Sequence, residues 1–249
     1  MITGIVVALS EELNTLTSKK LEKGCVQGLA DKILVIYSGA GVENARTASE
    51  LLITQGANQL ISWGCAAALD GEFRSGDLVL ANACVDADHV AIDLNNEAWL
   101  VNVKNCLSKH SDMRIHTGKL AESKNIVASS NDKAKIAEAT DAIALDMESV
   151  AIAKVAQAHG LPFLSIRAIA DPVNMDLPKA VSHALNEQGD VILGKLLTYL
   201  MWHPAELPGL IKLGLHFHAA KKTLRLVAKQ LSDVIASHQS ASETQPNNI

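Results

Sequence analysis

Six short stretches of the chain are runs of mostly apolar, often β-branched residues. They are "TGIVVAL" (3–9), "KILVIYSG" (32–39), "QLISWGCAAAL" (59–69), "DLVLANA" (77–83), "AIALDM" (142–147) and "PFLSIRAIA" (162–170). Continuous apolar runs of this length suit strands buried on both faces, as in a mostly parallel sheet. Helical patterns fall between them. "VENARTASELLITQ" (42–55) follows a glycine turn, and "SNDKAKIAEA" (130–139) opens on a serine cap. "ESVAIAKVAQAHG" (148–160) ends in glycine, with Pro162 two residues on. Strands alternating with helices predict an α/β fold with helices on both faces of the sheet.

The pattern changes after about residue 185. A proline-broken entry, "MWHPAELPG", leads into a long helical segment. Leu213, Phe217, Ala220, Leu224, Val227, Leu231 and Ile235 step by fours and threes, which makes one apolar stripe. The expected organisation is a catalytic domain over 1–200 and a helical extension of that domain over 201–238. The last stretch, 239–249, is polar and expected to be disordered.

Composition narrows the classes of function. A chain of 249 residues buries a substantial core without metal or disulfide support. Aromatic residues make up 3% and the net charge is −5, so neither base stacking nor phosphate attraction favours nucleic acid as a partner. Cys25, Cys65, Cys84 and Cys106 form no CxxC pair and read as reduced thiols in a cytoplasmic protein. The N-terminus has no signal-peptide pattern, and no run is long enough to span a bilayer.

Charges at strand ends carry the chemistry, because ligands of parallel sheets gather there. Glu11 and Glu12 follow the first run, and Ser38, Gly39 and Gly41 the second. Gly64 and Cys65 lie late in the third, Asp146 and Glu148 end the fifth, and Arg167 and Asp171 lie in and after the last. Each has an ordinary reading as a helix start, turn or core ion pair. "SGAGVEN" also falls short of a dinucleotide turn, because Asn44 stands where a third glycine belongs. Together, however, three carboxylates and an arginine are a poor way to build a core and a reasonable way to build a catalytic pocket.

These residues resemble the nucleoside phosphorylase and nucleosidase superfamily. The resemblance rests on "ALSEEL" (8–13), "SGAGVENA" (38–45), "GCAAALDGEFRSGDLVL" (64–80) and "LDMESVAIAKVAQAHGLPFLSIRAIAD" (145–171). It is greatest to the methylthioadenosine/S-adenosylhomocysteine nucleosidases and, through "HPAELPGLIKLGLHFHAAKKTLR", to the hopanoid-associated branch thought to act on adenosylhopane. It implies a three-layer α/β/α fold around a mixed, mostly parallel twisted sheet, with no cofactor and no metal. It also implies a homodimer or larger homo-oligomer and a small-molecule adenosyl substrate. By the resemblance Asp171 protonates or hydrogen-bonds purine N7, Glu148 holds the ribose hydroxyls and Glu12 activates water. Met147 lines the sugar, Arg167 positions or neutralises the carboxylates, and Cys65 and Ala67 lie against the substrate. The backbone of Ile126 and Val127 clasps the adenine edge. Asp146 is expected to hold structure rather than to catalyse.

Hydrolysis is favoured over phosphorolysis. Related phosphorylases carry an arginine-bearing glycine loop after the first strand, whereas this chain has "ALSEELNT", whose carboxylates repel phosphate. Arg46 and Arg74 are the arginines left for an anion. The alternatives are a phosphate-dependent phosphorylase, a methylthioadenosine/S-adenosylhomocysteine nucleosidase and a non-catalytic nucleoside sensor. His89 and Trp99 lie in a segment unlike that of the methylthioadenosine enzymes. Between residues 203 and 230 five lysines and arginines stand against Glu206 alone. A basic helix of this kind either packs on its own domain or partner, or makes peripheral contact with an anionic membrane.

Overall fold

The structure is a computed structural model that describes residues 1–94, 96–109, 113–184 and 193–236. The chain opens with β1 (Thr3–Val7), α1 (Ser10–Leu13), β2 (Val26–Ala30), β3 (Ile33–Tyr37) and α2 (Val42–Thr54). The centre holds β4 (Gln59–Ala68), β5 (Leu78–Val85), β6 (Ala91–Asp93), α3 (Glu97–Ser108), β7 (Ile115–Glu122) and α4 (Ser130–Thr140). Then come β8 (Ala144–Asp146), α5 (Ser149–Ala158), β9 (Phe163–Asp171), α6 (Lys179–Ala184) and α7 (Leu193–Trp202). A 3-10 turn at Pro204–Glu206 leads into α8 (Leu207–Ala228). The expected tail, 239–249, lies outside the described residues.

The sheet runs β2-β3-β1-β4-β8-β7-β5-β6, and β9 pairs with both β4 and β5. Strands β4, β9, β5, β7 and β8 therefore close a ring, which leaves β9 buried along its whole length. Among the described residues the sheet is mixed: five pairings are parallel and four antiparallel.

The pleat sends alternate residues to opposite faces and builds two cores. Val6 of β1 joins Ala45, Leu52, Val150 and Ile152 of α2 and α5. Its neighbours Ile5 and Val7 join Trp99 and Val103 of α3 and Leu224 and Val227 of α8 on the other side. The result is helices, sheet, helices. The apolar stripe of α8 divides its work. Ala220, Leu224 and Val227 are buried in that second core, and Thr223 Oγ1 donates to Gly76 O at 2.6 Å. Trp99 Nε1 also donates to Val234 O, beyond α8, at 3.0 Å. Upstream, Leu213 and Phe217 turn towards a cavity.

Candidate active site

The ends of β1, β4, β8 and β9 converge on a cavity of about 510 Å³. Strand β1 stops at Val7, opposite Trp63, while β4 runs on to Ala68. The edge of β4 beyond Trp63 thus needs another partner, and α1 supplies it. Glu12 Oε1 accepts the Cys65 N–H at 2.7 Å, and Oε2 accepts the Leu9 N–H at 3.2 Å. Gly64 makes room for this. A Cβ there would lie 2.7 Å from Glu12 Oε1 and 2.5 Å from Arg167 Nη1. Burial pushes the Glu12 carboxyl up from its ordinary 4.5 to about 7; Arg167 and the two N–H bonds oppose the rise and Glu148 adds to it. A carboxyl tuned to neutrality is suited to proton transfer at that pH.

The same geometry explains Asp146 and Glu148, the two carboxylates flanking Met147. Asp146 Oδ1 accepts the N–H groups of Glu148 at 3.2 Å and Ser149 at 3.0 Å, and so caps the first turn of α5. Its Oδ2 pairs with Arg167 Nε at 2.6 Å. Asp146 therefore has the structural hydrogen bonds expected of it. Both carboxylates line the cavity, and Glu148 Oε1 accepts the Gly41 N–H at 2.9 Å. Gly41 has φ +99°, a backbone conformation that glycine adopts without steric cost. Burial raises the Glu148 carboxyl, with Arg167 opposing the rise and Asp146 adding to it.

Arg167 does not line the cavity; it lies behind it, 1% exposed. Its Nη2 donates to Ser62 Oγ at 2.5 Å, its Nε to Ser149 Oγ at 3.2 Å, and its Nη1 to Cys65 O at 3.3 Å. Ser149 Oγ in turn contacts Ser62 Oγ at 3.0 Å and Ser165 Oγ at 3.1 Å. Glu148 Oε2 lies 3.9 Å from Arg167 Nη2. The arginine is thus a buried cation that holds two carboxylates from behind, a geometry that suits positioning or neutralising them.

Asp171 ends β9 and faces the cavity from the other side. Burial raises its carboxyl, while Lys133 pulls it down. Lys133 Nζ also donates to Met175 O at 2.9 Å and Pro172 O at 3.1 Å. This lysine was absent from the sequence reading. Lys133, Ile136, Ala137 and Thr140 recur at helical spacing along α4, and that spacing marks Lys133 as facing inwards.

Cys65, Ala67, Ile126 and Met147 line the cavity as expected. Val127, expected to act through its backbone, packs its side chain with a satellite core of Leu69, Ala121, Ala142 and Leu145. Burial first, and the Glu12 charge second, push the Cys65 thiol well above its ordinary value, so it stays protonated. Arg46 pairs with Glu43 on the surface at 2.6 Å, and neither it nor the exposed Arg74 lines the cavity. His89 sits exposed with φ +62°, and Trp99 is core. Glu11 is exposed, and its Oε2 takes the Ser10 hydroxyl.

A 5′-methylthioadenosine/S-adenosylhomocysteine nucleosidase of Maridesulfovibrio salexigens is 26% identical over 218 residues, 73% of this chain and 90% of that protein. The Staphylococcus carnosus protein of the same name is 24% identical over 225 residues, 78% of this chain and 98% of its own. The futalosine hydrolase structure of Helicobacter pylori shares the fold, with TM-score 0.69 at 18% identity over 94% of this chain and 97% of its own. A nucleosidase of the first name from Helicobacter pylori, solved with a bound nucleoside analogue, has TM-score 0.68 at 18% identity and the same coverage. The family model described as Phosphorylase superfamily matches residues 3–200, and the chain belongs to that superfamily.

Proposed function

We propose that the protein hydrolyses the N-glycosidic bond of an adenosyl compound with a bulky apolar 5′ group, adenosylhopane being the leading candidate, and releases adenine. One observation carries the reading: a single cavity joins four buried carboxylates to an apolar wall. Glu12, Asp146, Glu148 and Asp171 face one part of it, and Asp146 is already spent on Arg167 and the start of α5. Leu177, Val181, Leu196, Leu210, Leu213 and Phe217, from the segment before α6 and from α6, α7 and α8, face the rest.

The bond from C1′ to N9 breaks with its electron pair going to the base. Asp171 delivers a proton to N7, which makes adenine a neutral leaving group. Glu148 holds the ribose hydroxyls beside the cationic sugar. Water adds to C1′ and gives its proton to Glu12. An anionic nucleophile is disfavoured, because Glu12 occupies the ground where phosphate would have to approach and neither Arg46 nor Arg74 lines the cavity. The names of the relatives also support a nucleosidase. A second reading, a substrate with a small 5′-thio group, draws on those same names but leaves the apolar wall uncovered.

A catalytic unit over 1–200 with its helical extension, a homo-oligomer, and a cytoplasmic protein in peripheral contact with a membrane belong to the same reading. The test is adenine release from adenosylhopane, methylthioadenosine and inosine, each with and without phosphate. Adenine and ribosylhopane formed without phosphate support it. Turnover only with phosphate, giving a sugar 1-phosphate, overturns it.

A further inference from the structure

Helix α8 carries a second line of side chains that does not face the protein. Leu207, Ile211 and Leu215 are all exposed, and the same line continues through His218, Lys222 and Arg225 to Lys229. The steps are fours and threes, so one helix face is apolar at its N-terminal end and basic at its C-terminal end. Helix α7 adds Leu197, Met201 and Trp202, the last two 80% exposed. An apolar surface of this extent is unusual on a protein that stays free in water.

The same two helices also wall the cavity. Leu196 of α7 and Leu210, Leu213 and Phe217 of α8 line it. The same two helices thus present apolar side chains both to the pocket and to the outside. The charge on the rest of the line points to a particular partner. The chain is net negative, yet Lys222, Arg225 and Lys229 share one face that meets a carboxylate only at its far end, at Asp233. A second copy docking through this face would set those cations against each other or against leucine. An anionic lipid surface accepts both ends: acyl chains take the apolar tip, and headgroup phosphates take the cations.

We propose that α7 and the outer face of α8 form a membrane-docking surface specific for anionic lipid, holding the pocket mouth at the bilayer. The proposal extends the lipid-linked substrate reading and is tested without any substrate. The full-length chain is sedimented with vesicles of phosphatidylcholine alone and of phosphatidylcholine with phosphatidylglycerol. Binding should occur with the anionic vesicles and fall at least tenfold in a Lys222→Glu/Arg225→Glu/Lys229→Glu variant and in a Met201→Glu/Trp202→Glu variant. Brominated lipid should quench the fluorescence of Trp202, because Trp63 and Trp99 are buried. Turnover of a soluble adenosyl compound should be unchanged in both variants, which shows that they fold. No vesicle binding by the wild type, equal binding by the variants, or a stable dimer that shields Trp202 from aqueous quencher overturns the surface. Absence of turnover with every adenosyl compound, beside intact vesicle binding, overturns the nucleosidase reading and leaves the surface standing.

Discussion

Lys133 Nζ lies 2.7 Å from Asp171 Oδ1, and the lysine side chain is fully buried. Two backbone carbonyls take its remaining donors. The pair places a cation directly behind the carboxyl that protonates the leaving base in the proposed mechanism. Burial and the ammonium act on Asp171 in opposite directions, and burial wins.

Removing the ammonium should therefore let the Asp171 carboxyl rise further. In Lys133→Met the alkaline limb of kcat/KM against pH should move to higher pH, because the acid keeps its proton longer. A purely structural lysine would lower activity without moving that limb. Two buried carbonyls also lose a donor, so unfolding in urea should come earlier by about 1–3 kcal/mol.

Asp171→Asn should lower kcat/KM on the true substrate by about 10²-fold or more, the usual worth of a general acid. Steady-state kinetics at the pH optimum measure it. A loss of less than threefold would falsify the assignment.

Glu12 links activity and stability with opposite signs. As a base it must be ionised, so kcat/KM should fall as pH drops below about 7. The folded carboxyl holds its proton to higher pH than the unfolded one, whose ordinary value is 4.5. Its contribution to stability is full below pH 4.5 and is lost as pH rises through about 7. That loss is about 3 kcal/mol for a shift of this size. Glu12→Gln should abolish turnover and, in urea titrations at pH 8, unfold later than the wild type by up to that amount.

Asp146→Ala removes the partner of a buried guanidinium and the cap of α5 together. Stability should drop by about 3–5 kcal/mol, the cost of an uncompensated buried charge. Thermal unfolding followed by circular dichroism would detect it, and a change under 1 kcal/mol would contradict the geometry.

Gly64→Ala should cost at least tenfold in kcat/KM, since the new Cβ would overlap both Glu12 and Arg167. The effect should fall on kcat more than on KM, because the base is displaced and the apolar wall is not.

The strands that positioned these groups were legible because they are buried on both faces. Runs such as "TGIVV" and "FLSIRAIAD" have few other uses. The strands that escaped notice, β2, β6 and β7, are short or largely half-exposed; "IHTGKLAE" in β7 mixes polar and apolar residues without a clear period. Helix α3 was missed in a segment noted only for its histidine and tryptophan. Glu12, Glu148 and Asp171 were readable as charges with no good reason to be buried, and the cavity brings all three together. Lys133 was not read that way, because a lysine on a helix usually reaches water. On α8 the inward stripe is plain in the sequence, whereas Leu207, Ile211 and Leu215 carry no signal of their exposure. Nothing in a linear pattern distinguishes an outward apolar line from an inward one when both lie on the same helix.

The ring closed by β9 has a consequence for how the protein matures. Arg167 meets Cys65 across 102 positions of chain, and Asp171 ends the same strand. Contacts that distant form late, after the loop between them has been ordered. A chain emerging from the ribosome holds Glu12 before it has Glu148, Arg167 or Asp171. Ligand-binding competence should therefore switch on at one late step, when the ninth strand inserts between the fourth and fifth. A ligand that binds the completed ring would favour that insertion by mass action.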